Sequence, residues 1–151
     1  MVKRFTIFVL MPWMLIACGT INIEERQQAA EGIAFSTGKE RGAVMDTIAR
    51  VMIAEGYILD QSNEKYGIIA CKPYFIPTGD LLMKIGEPGG SFANSIGFQS
   101  VIEFNAIVSE DGDVRIKTAA FLNINRNAMD MALSVKLNNY YSGIIHKALE
   151  N

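Results

Sequence analysis

Apolar residues recur at helical spacing in two segments of the chain. In the first, four apolar residues fall every three or four positions, as on one face of an amphipathic helix: Val44, Ile48, Val51 and Met52. Thr37 and Glu40 match the T-x-x-E capping box that starts many helices. We expect this helix to run from that box to Glu55, with Gly56 as the terminating glycine.

The second apolar stripe predicts a longer helix at the end of the chain. It is formed by Leu133, Leu137, Tyr140, Tyr141, Ile144 and Ala148. We expect Asn127 or a neighbour to cap this helix, which should run to about Leu149.

Alternating apolar and polar residues predict strands between the two helices. The clearest pair spans 98–109 and 114–123, joined by a turn at Asp111-Gly112. In this hairpin Glu103 should lie near Arg115 or Lys117 on the polar face, where a cross-strand ion pair is expected. Shorter segments predict a first edge strand at 33–36 and a hairpin of 57–61 with 66–75. Regular pairing of the second of these strands should end at Pro73.

The segment 76–95 is rich in glycine and proline and predicts a long irregular loop. It carries four apolar residues that either pack under the sheet or form an exposed contact surface for a partner: Leu81, Leu82, Met83 and Ile85. Three tyrosines and one lysine either line an exposed sheet face or are ordinary strand residues: Tyr57, Tyr66, Tyr74 and Lys72.

The order of these elements predicts an α+β fold. Two antiparallel hairpins and a first strand would form a sheet of four to five strands, with two amphipathic helices on one face, as a two-layer sandwich. Residues 33–151 are then a single domain.

The N-terminus carries a separate signal. Lys3 and Arg4 precede an apolar run from Phe5 to Ala17, which is shorter than the roughly 20 residues that a membrane-spanning helix needs. The run closes with a four-residue motif that resembles the lipobox of bacterial lipoproteins: Leu15, Ile16, Ala17 and Cys18.

This resemblance implies a lipid anchor. The signal peptide, residues 1–17, would be cleaved between Ala17 and Cys18, and Cys18 would carry a diacylglyceryl group and an N-acyl chain. Two or three acyl chains make membrane attachment stable. Gly19 rather than Asp after the cysteine implies the outer membrane, with the domain facing the periplasm. Residues 18–32 would form the lipidated tether, with a helix in its second half.

A second resemblance concerns the predicted domain. Gly56-Tyr57, Asp60 and the pattern Gly67-x-Ile69-x-Cys71 are similar to the helix-grip domains of the C subunit lipoprotein of the bacterial β-barrel assembly machinery. The resemblance covers about residues 37–72. It implies a fold and a partner protein in the envelope.

Charge and chemistry narrow the function further. Without Lys3 and Arg4, 12 basic and 16 acidic residues remain, a balance that disfavours nucleic acid as a partner.

With Cys18 lipidated, Cys71 has no disulfide partner and is expected to be buried. His146 is the only histidine, and one histidine with one free cysteine is too few for a metal site. An enzyme would need His146 or Cys71 in a polar cleft.

We therefore expect no enzyme, no metal and no cofactor beyond the lipid on Cys18. The expected function is a membrane-anchored, non-enzymatic interaction or assembly module that contacts an envelope protein through the 76–95 segment and the exposed sheet face. The alternative is a carrier of a small ligand or lipid, with its cavity between the sheet and the C-terminal helix.

Overall fold

A computed structural model describes residues 23–122 and 129–151. The expected signal peptide, the lipobox with Cys18, the first part of the tether and Asn127 lie outside these residues. The helices are α1 (Ile23–Glu31), α2 (Arg41–Ala54), α3 (Thr78–Lys84), α4 (Gly90–Ser95) and α5 (Met131–Glu150). The strands are β1 (Ile33–Phe35), β2 (Leu59–Asn63), β3 (Ile68–Cys71), β4 (Tyr74–Pro77), β5 (Gln99–Val108) and β6 (Val114–Leu122).

The strands form one open antiparallel sheet in the order β1-β6-β5-β3-β2, and β4 pairs with β5 beyond the end of β3. The core lies between one face of this sheet and the layer that contains α2 and α5. The predicted α+β two-layer fold is confirmed, with one strand more than expected.

The additional strand arises at Pro73. The segment 66–75, predicted as one strand, is two strands that lie end to end along β5. The register shifts by one residue between the pairs Ala70–Asn105 and Tyr74–Ile102. Proline has no N–H to donate to a ladder, so the sheet accommodates Lys72 and Pro73 as a bulge. Lys72 and Pro73 are consequently both exposed.

The predicted β5–β6 hairpin and its turn are confirmed, with Gly112 at a positive φ in the turn. The predicted ion pair of Glu103 is wrong, because Glu103 pairs with Ala119 while Lys117 lies opposite Asn105. In the described part of the chain, Glu103 makes no ion pair. The turn of the β2–β3 hairpin also lies later than predicted, at 64–67.

Both helix starts differ from the predictions. α2 begins at Arg41 and has no side-chain cap. The Thr37 hydroxyl instead donates to the Gly112 carbonyl at 2.7 Å, which ties the loop before α2 to the β5–β6 turn. α5 is capped by Asp130, whose carboxylate accepts the Leu133 N–H at 2.9 Å. The predicted end of α2 is confirmed, with Gly56 at φ 93°.

The buried faces of the helices largely follow the predicted stripes. Val44, Ile48 and Met52 of α2 are fully buried. On α5 the buried row continues through Ile145 and Leu149, while Tyr140 and Ile144 are half-buried on its flank. α1, which covers residues 23–31 of the expected tether, packs on α5 and β6.

Candidate interaction site

The 76–95 segment, predicted as an irregular loop, contains the end of β4 and the helices α3 and α4. The four apolar residues singled out there consequently have different surroundings. Leu81 is buried in the core, Leu82 and Ile85 are half-buried against it, and Met83 is 53% exposed. A seven-residue helix turns its apolar side chains in different directions, so the four do not form one exposed surface.

Two glycines allow α3 and α4 to approach each other closely. A Cβ atom on Gly79 would lie 2.0 Å from the Gly90 carbonyl oxygen, and one on Gly90 would lie 2.7 Å from the Gly79 carbonyl oxygen. The Asn94 amide also donates to the Asp80 carboxylate at 2.7 Å. Two of the glycines that suggested an irregular loop, Gly79 and Gly90, therefore serve helix packing.

A cleft of about 360 Å³ lies between the α3–α4 pair and the N-terminal end of α5. We call it the α3–α4 cleft. Its lining comprises Thr78, Leu82, Gly89, Ala93, Ile96, Phe98, Leu122, Asp130, Ala132, Leu133 and Lys136. Three of its apolar residues remain partly exposed, namely Ile96 at 44%, Phe98 at 37% and Leu122 at 36%. The cleft is therefore an accessible and largely apolar surface.

Polar contacts hold the walls of the cleft in place. Lys136 of α5 donates to the Glu87 carboxylate at 2.5 Å, which joins α5 to the α3–α4 connection. At the start of α3, the buried Thr78 and Ser100 hydroxyl groups are hydrogen-bonded at 2.9 Å. These hydroxyl groups satisfy each other, so an apolar occupant would not leave them unpaired.

α3 is also fixed at its C-terminal end. Lys84 contacts the Glu55 carboxylate at 2.7 Å, and the Tyr140 hydroxyl donates to the same carboxylate at 3.4 Å. These contacts link α3 to the end of α2 and to α5. The position of α3 beside the sheet is thus set by several elements.

The face of the sheet away from α2 and α5 carries a second surface, which we call the outer sheet face. It has a depression of about 380 Å³ lined by Lys72, Pro73, Phe75, Val101, Glu103 and Phe121. Phe75 is 52% exposed, whereas Val101 at the base is 4% exposed. Of the four residues predicted for an exposed sheet face, Lys72 and Tyr66 are exposed, Tyr74 is half-buried against the core and Tyr57 is buried.

The chemically reactive residues are dispersed. Cys71 is a buried free thiol, and burial raises its pKa to about 11. The Tyr57 and Tyr141 hydroxyl groups are hydrogen-bonded at 2.8 Å inside the core, and burial raises the pKa of both. His146 is exposed on α5, with its ring 5.6 Å from that of Phe35 and Nδ1 3.3 Å from the Glu150 carboxylate.

Within residues 23–122 and 129–151, no three His, Cys, Asp or Glu side chains are grouped to hold a metal ion. None of the helices in these ranges is both long and apolar enough to cross a membrane.

Comparison with known proteins gives no family assignment. No protein-family model matches the chain, and no curated protein sequence matches it.

Proposed function

We propose that the chain is a lipid-anchored lipoprotein of the bacterial outer membrane whose periplasmic domain binds an envelope protein without catalysing a reaction. The observation that carries the binding role is the α3–α4 cleft. Exposed apolar surface with a polar rim is typical of protein contact sites. The anchoring role rests on the sequence Leu15 to Cys18 alone.

The walls of the cleft support a preformed site. Two ion pairs, Lys136–Glu87 and Lys84–Glu55, hold α5 and α3 in place. The hydrogen bond between the Thr78 and Ser100 hydroxyl groups fixes the base of the cleft. A site on fixed elements loses little conformational entropy when a partner binds. Leu82 is the residue of the predicted contact set that lines this site.

Photo-crosslinking in the native cell envelope tests the binding role. A photoreactive amino acid at Ile96 should give a discrete adduct with one protein. The matched control is Ile53, an apolar residue of α2 that is 57% exposed and lies outside the cleft lining. Absence of an adduct at Ile96, or an equal adduct at Ile53, would contradict the proposed site.

Anchoring is tested separately at Cys18. The Cys18→Ser variant should remain as an unprocessed precursor or leave the membrane fraction, because a serine hydroxyl does not accept the thioether-linked lipid. Metabolic labelling with an alkyne fatty acid would measure this. Normal lipid labelling of Cys18→Ser would overturn the proposed anchor.

A small apolar ligand is the second candidate occupant of the cleft. The volume of about 360 Å³ lies at the lower end of the range for ligand sites. This position differs from the cavity expected between the sheet and α5, where Phe104, Tyr141 and Ile145 are fully buried. Native mass spectrometry of protein purified from its own envelope would show added mass, and Ile96→Glu should remove it.

A further inference from the structure

The outer sheet face concentrates positive charge on an acidic chain. Lys72, Arg115 and Lys117 are exposed on this face, and Glu103 is its one acidic side chain among the residues lining the depression or lying on the outward positions of β5 and β6. The whole chain carries 14 basic and 16 acidic residues. These positions therefore carry three cations and one carboxylate, a balance opposite in sign to that of the chain as a whole.

These charges share one face because of the strand register. Lys117 pairs with Asn105 and Arg115 with Ile107, so all four point outward, whereas Phe104 and Ile116 point into the core. The bulge at Lys72–Pro73 lies along the edge of β5 that pairs with β3 and β4, opposite the edge that pairs with β6, and it adds Lys72 to the same face of the sheet. Basic side chains thus flank β5 on both sides.

The basic side chains on this face have no ion-pair partner in the part of the domain that the structure describes. Among the described residues, neither Lys72, Arg115 nor Lys117 forms an ion pair, although other basic residues such as Lys84 and Lys136 do. Ile107, which pairs with Arg115, is 55% exposed. An exposed apolar side chain beside an unpaired cation provides both apolar area and charge for a partner.

We propose that the outer sheet face binds an acidic segment of a partner protein, with an apolar side chain of that segment in the depression beside Val101 and carboxylates opposite Lys72, Arg115 and Lys117. This inference rests on the proposed function of a protein-binding module and names the chemistry of one partner surface. It concerns a different face from the α3–α4 cleft.

Two other occupants fit the face less well. A second copy of the chain would bring three cations against three cations with two carboxylates between them, so like charges would oppose the contact. A lipid bilayer offers anionic headgroups, but a concave depression favours a protruding side chain over a planar surface. The concavity and the charge together favour an acidic protein segment.

Site-specific crosslinking on the full chain in its native envelope tests the inference. A photoreactive residue at Asn105, which is exposed and pairs with Lys117, should yield a protein adduct whose crosslinked peptide is acidic and contains a large apolar residue. The double variant Arg115→Glu with Lys117→Glu should lower the adduct yield about tenfold, as reversal of two contacts converts attraction into repulsion. The matched control is Arg50→Glu with Lys147→Glu, which reverses two exposed charges on the helices and should leave the yield unchanged.

Five results would overturn the inference: a lipid adduct, an adduct with a second copy of the chain, a non-acidic crosslinked peptide, a yield that does not respond to Arg115→Glu with Lys117→Glu, or the absence of any adduct at Asn105. An adduct at Ile96 without one at Asn105 would leave the proposed function standing and reject this inference alone. Circular dichroism of each variant verifies that the domain is folded.

Discussion

Asn138 of α5 accepts the backbone N–H of Thr118 of β6 with its side-chain oxygen, at 2.6 Å. One helical turn earlier, the Ser134 hydroxyl accepts the Ala120 N–H at 3.0 Å. β1 has three residues and pairs only with 114–116, so these amides lie on an edge of β6 that no strand covers. Side chains of α5 thus replace a missing strand, which explains why two fully buried residues of this helix are polar.

Asn138→Ala should destabilise the domain by about 1–3 kcal/mol, because the buried Thr118 N–H would lose its acceptor. The variant also removes the donor of the 3.3 Å contact with the Gln28 carbonyl, which helps to hold α1. Urea unfolding followed by circular dichroism measures the change. Asn139→Ala is the control, since Asn139 is exposed and makes only a 3.4 Å contact with Gln28. Equal losses in the two variants would contradict the edge role of Asn138.

Thr118→Val should leave stability unchanged or raise it by up to about 1 kcal/mol. The Thr118 hydroxyl is buried and has no hydrogen-bond partner among the described residues, and its burial therefore costs free energy that a methyl group avoids. Valine has nearly the same shape and retains the backbone N–H that Asn138 accepts. Thermal unfolding measures the effect, and the comparison is Thr47→Val on α2, where the half-buried threonine hydroxyl does have a partner, the Ala43 carbonyl at 2.9 Å. A loss of more than 1 kcal/mol would show that the hydroxyl has a structural role.

The sheet was largely predictable because its pattern is local. The alternation from Phe98 to Val108 and the turn at Gly112 determine which side chains face the core, and the structure has that alternation. The α5 stripe was predictable for only part of its length. Ser134 and Asn138 face the core because the edge of β6 needs acceptors, and no periodicity of apolar residues signals that requirement.

The candidate surfaces were harder to predict. Gly79 and Gly90 allow close helix packing, but glycine in a sequence also suggests a loop, so α3 and α4 were missed. The shift at Pro73 depends on pairing with β5, and this long-range contact places Lys72 on the outer sheet face. The spacing of proline and glycine indicated that the segment 76–95 was unusual without indicating its structure.

Arg41→Ala should cost about 1–3 kcal/mol, because one side chain holds two hairpin turns together. Its guanidinium donates to the Lys65 carbonyl at 2.9 Å, to the Glu64 carbonyl at 3.3 Å and, through Nε, to the Ser109 carbonyl at 3.3 Å. Hydrogen bonds from charged donors are stronger than neutral ones. Chemical denaturation gives the magnitude, and hydrogen exchange should show faster exchange of the amides in both turns.

The control for this prediction is Arg50→Ala. Arg50 is exposed and pairs with Asp46 one turn away on the same helix, so its loss should cost only a few tenths of a kcal/mol. Arg41→Lys should resemble Arg41→Ala, since a single ammonium group cannot reach both turns in the geometry of the guanidinium. Full stability of Arg41→Lys would contradict the proposed role of the planar group.

Stability should fall at alkaline pH through the buried thiol and the tyrosine pair. Burial raises the pKa of Cys71 from 9.0 to about 11, and it also raises the pKa of Tyr57 and Tyr141 above the ordinary value of 10.0. The native state therefore keeps these protons at a pH where the unfolded chain has released them. The contribution of these groups to stability is therefore fully present below pH 9. It falls as the pH rises from there toward the pKa values of the native state.

Denaturant unfolding from pH 7 to pH 11 measures this dependence. Cys71→Ala should make the fall in unfolding free energy between pH 9 and pH 11 less steep, by at most the slope that the release of one proton produces. Tyr57→Phe should make the fall less steep above pH 10. Tyr66→Phe is the matched control, because Tyr66 is 62% exposed and lies outside the pair. Since Cys71→Ala and Tyr57→Phe also lose packing or a hydrogen bond at neutral pH, the slope against pH is the decisive quantity. A slope unchanged in both variants would show that other groups cause the alkaline loss.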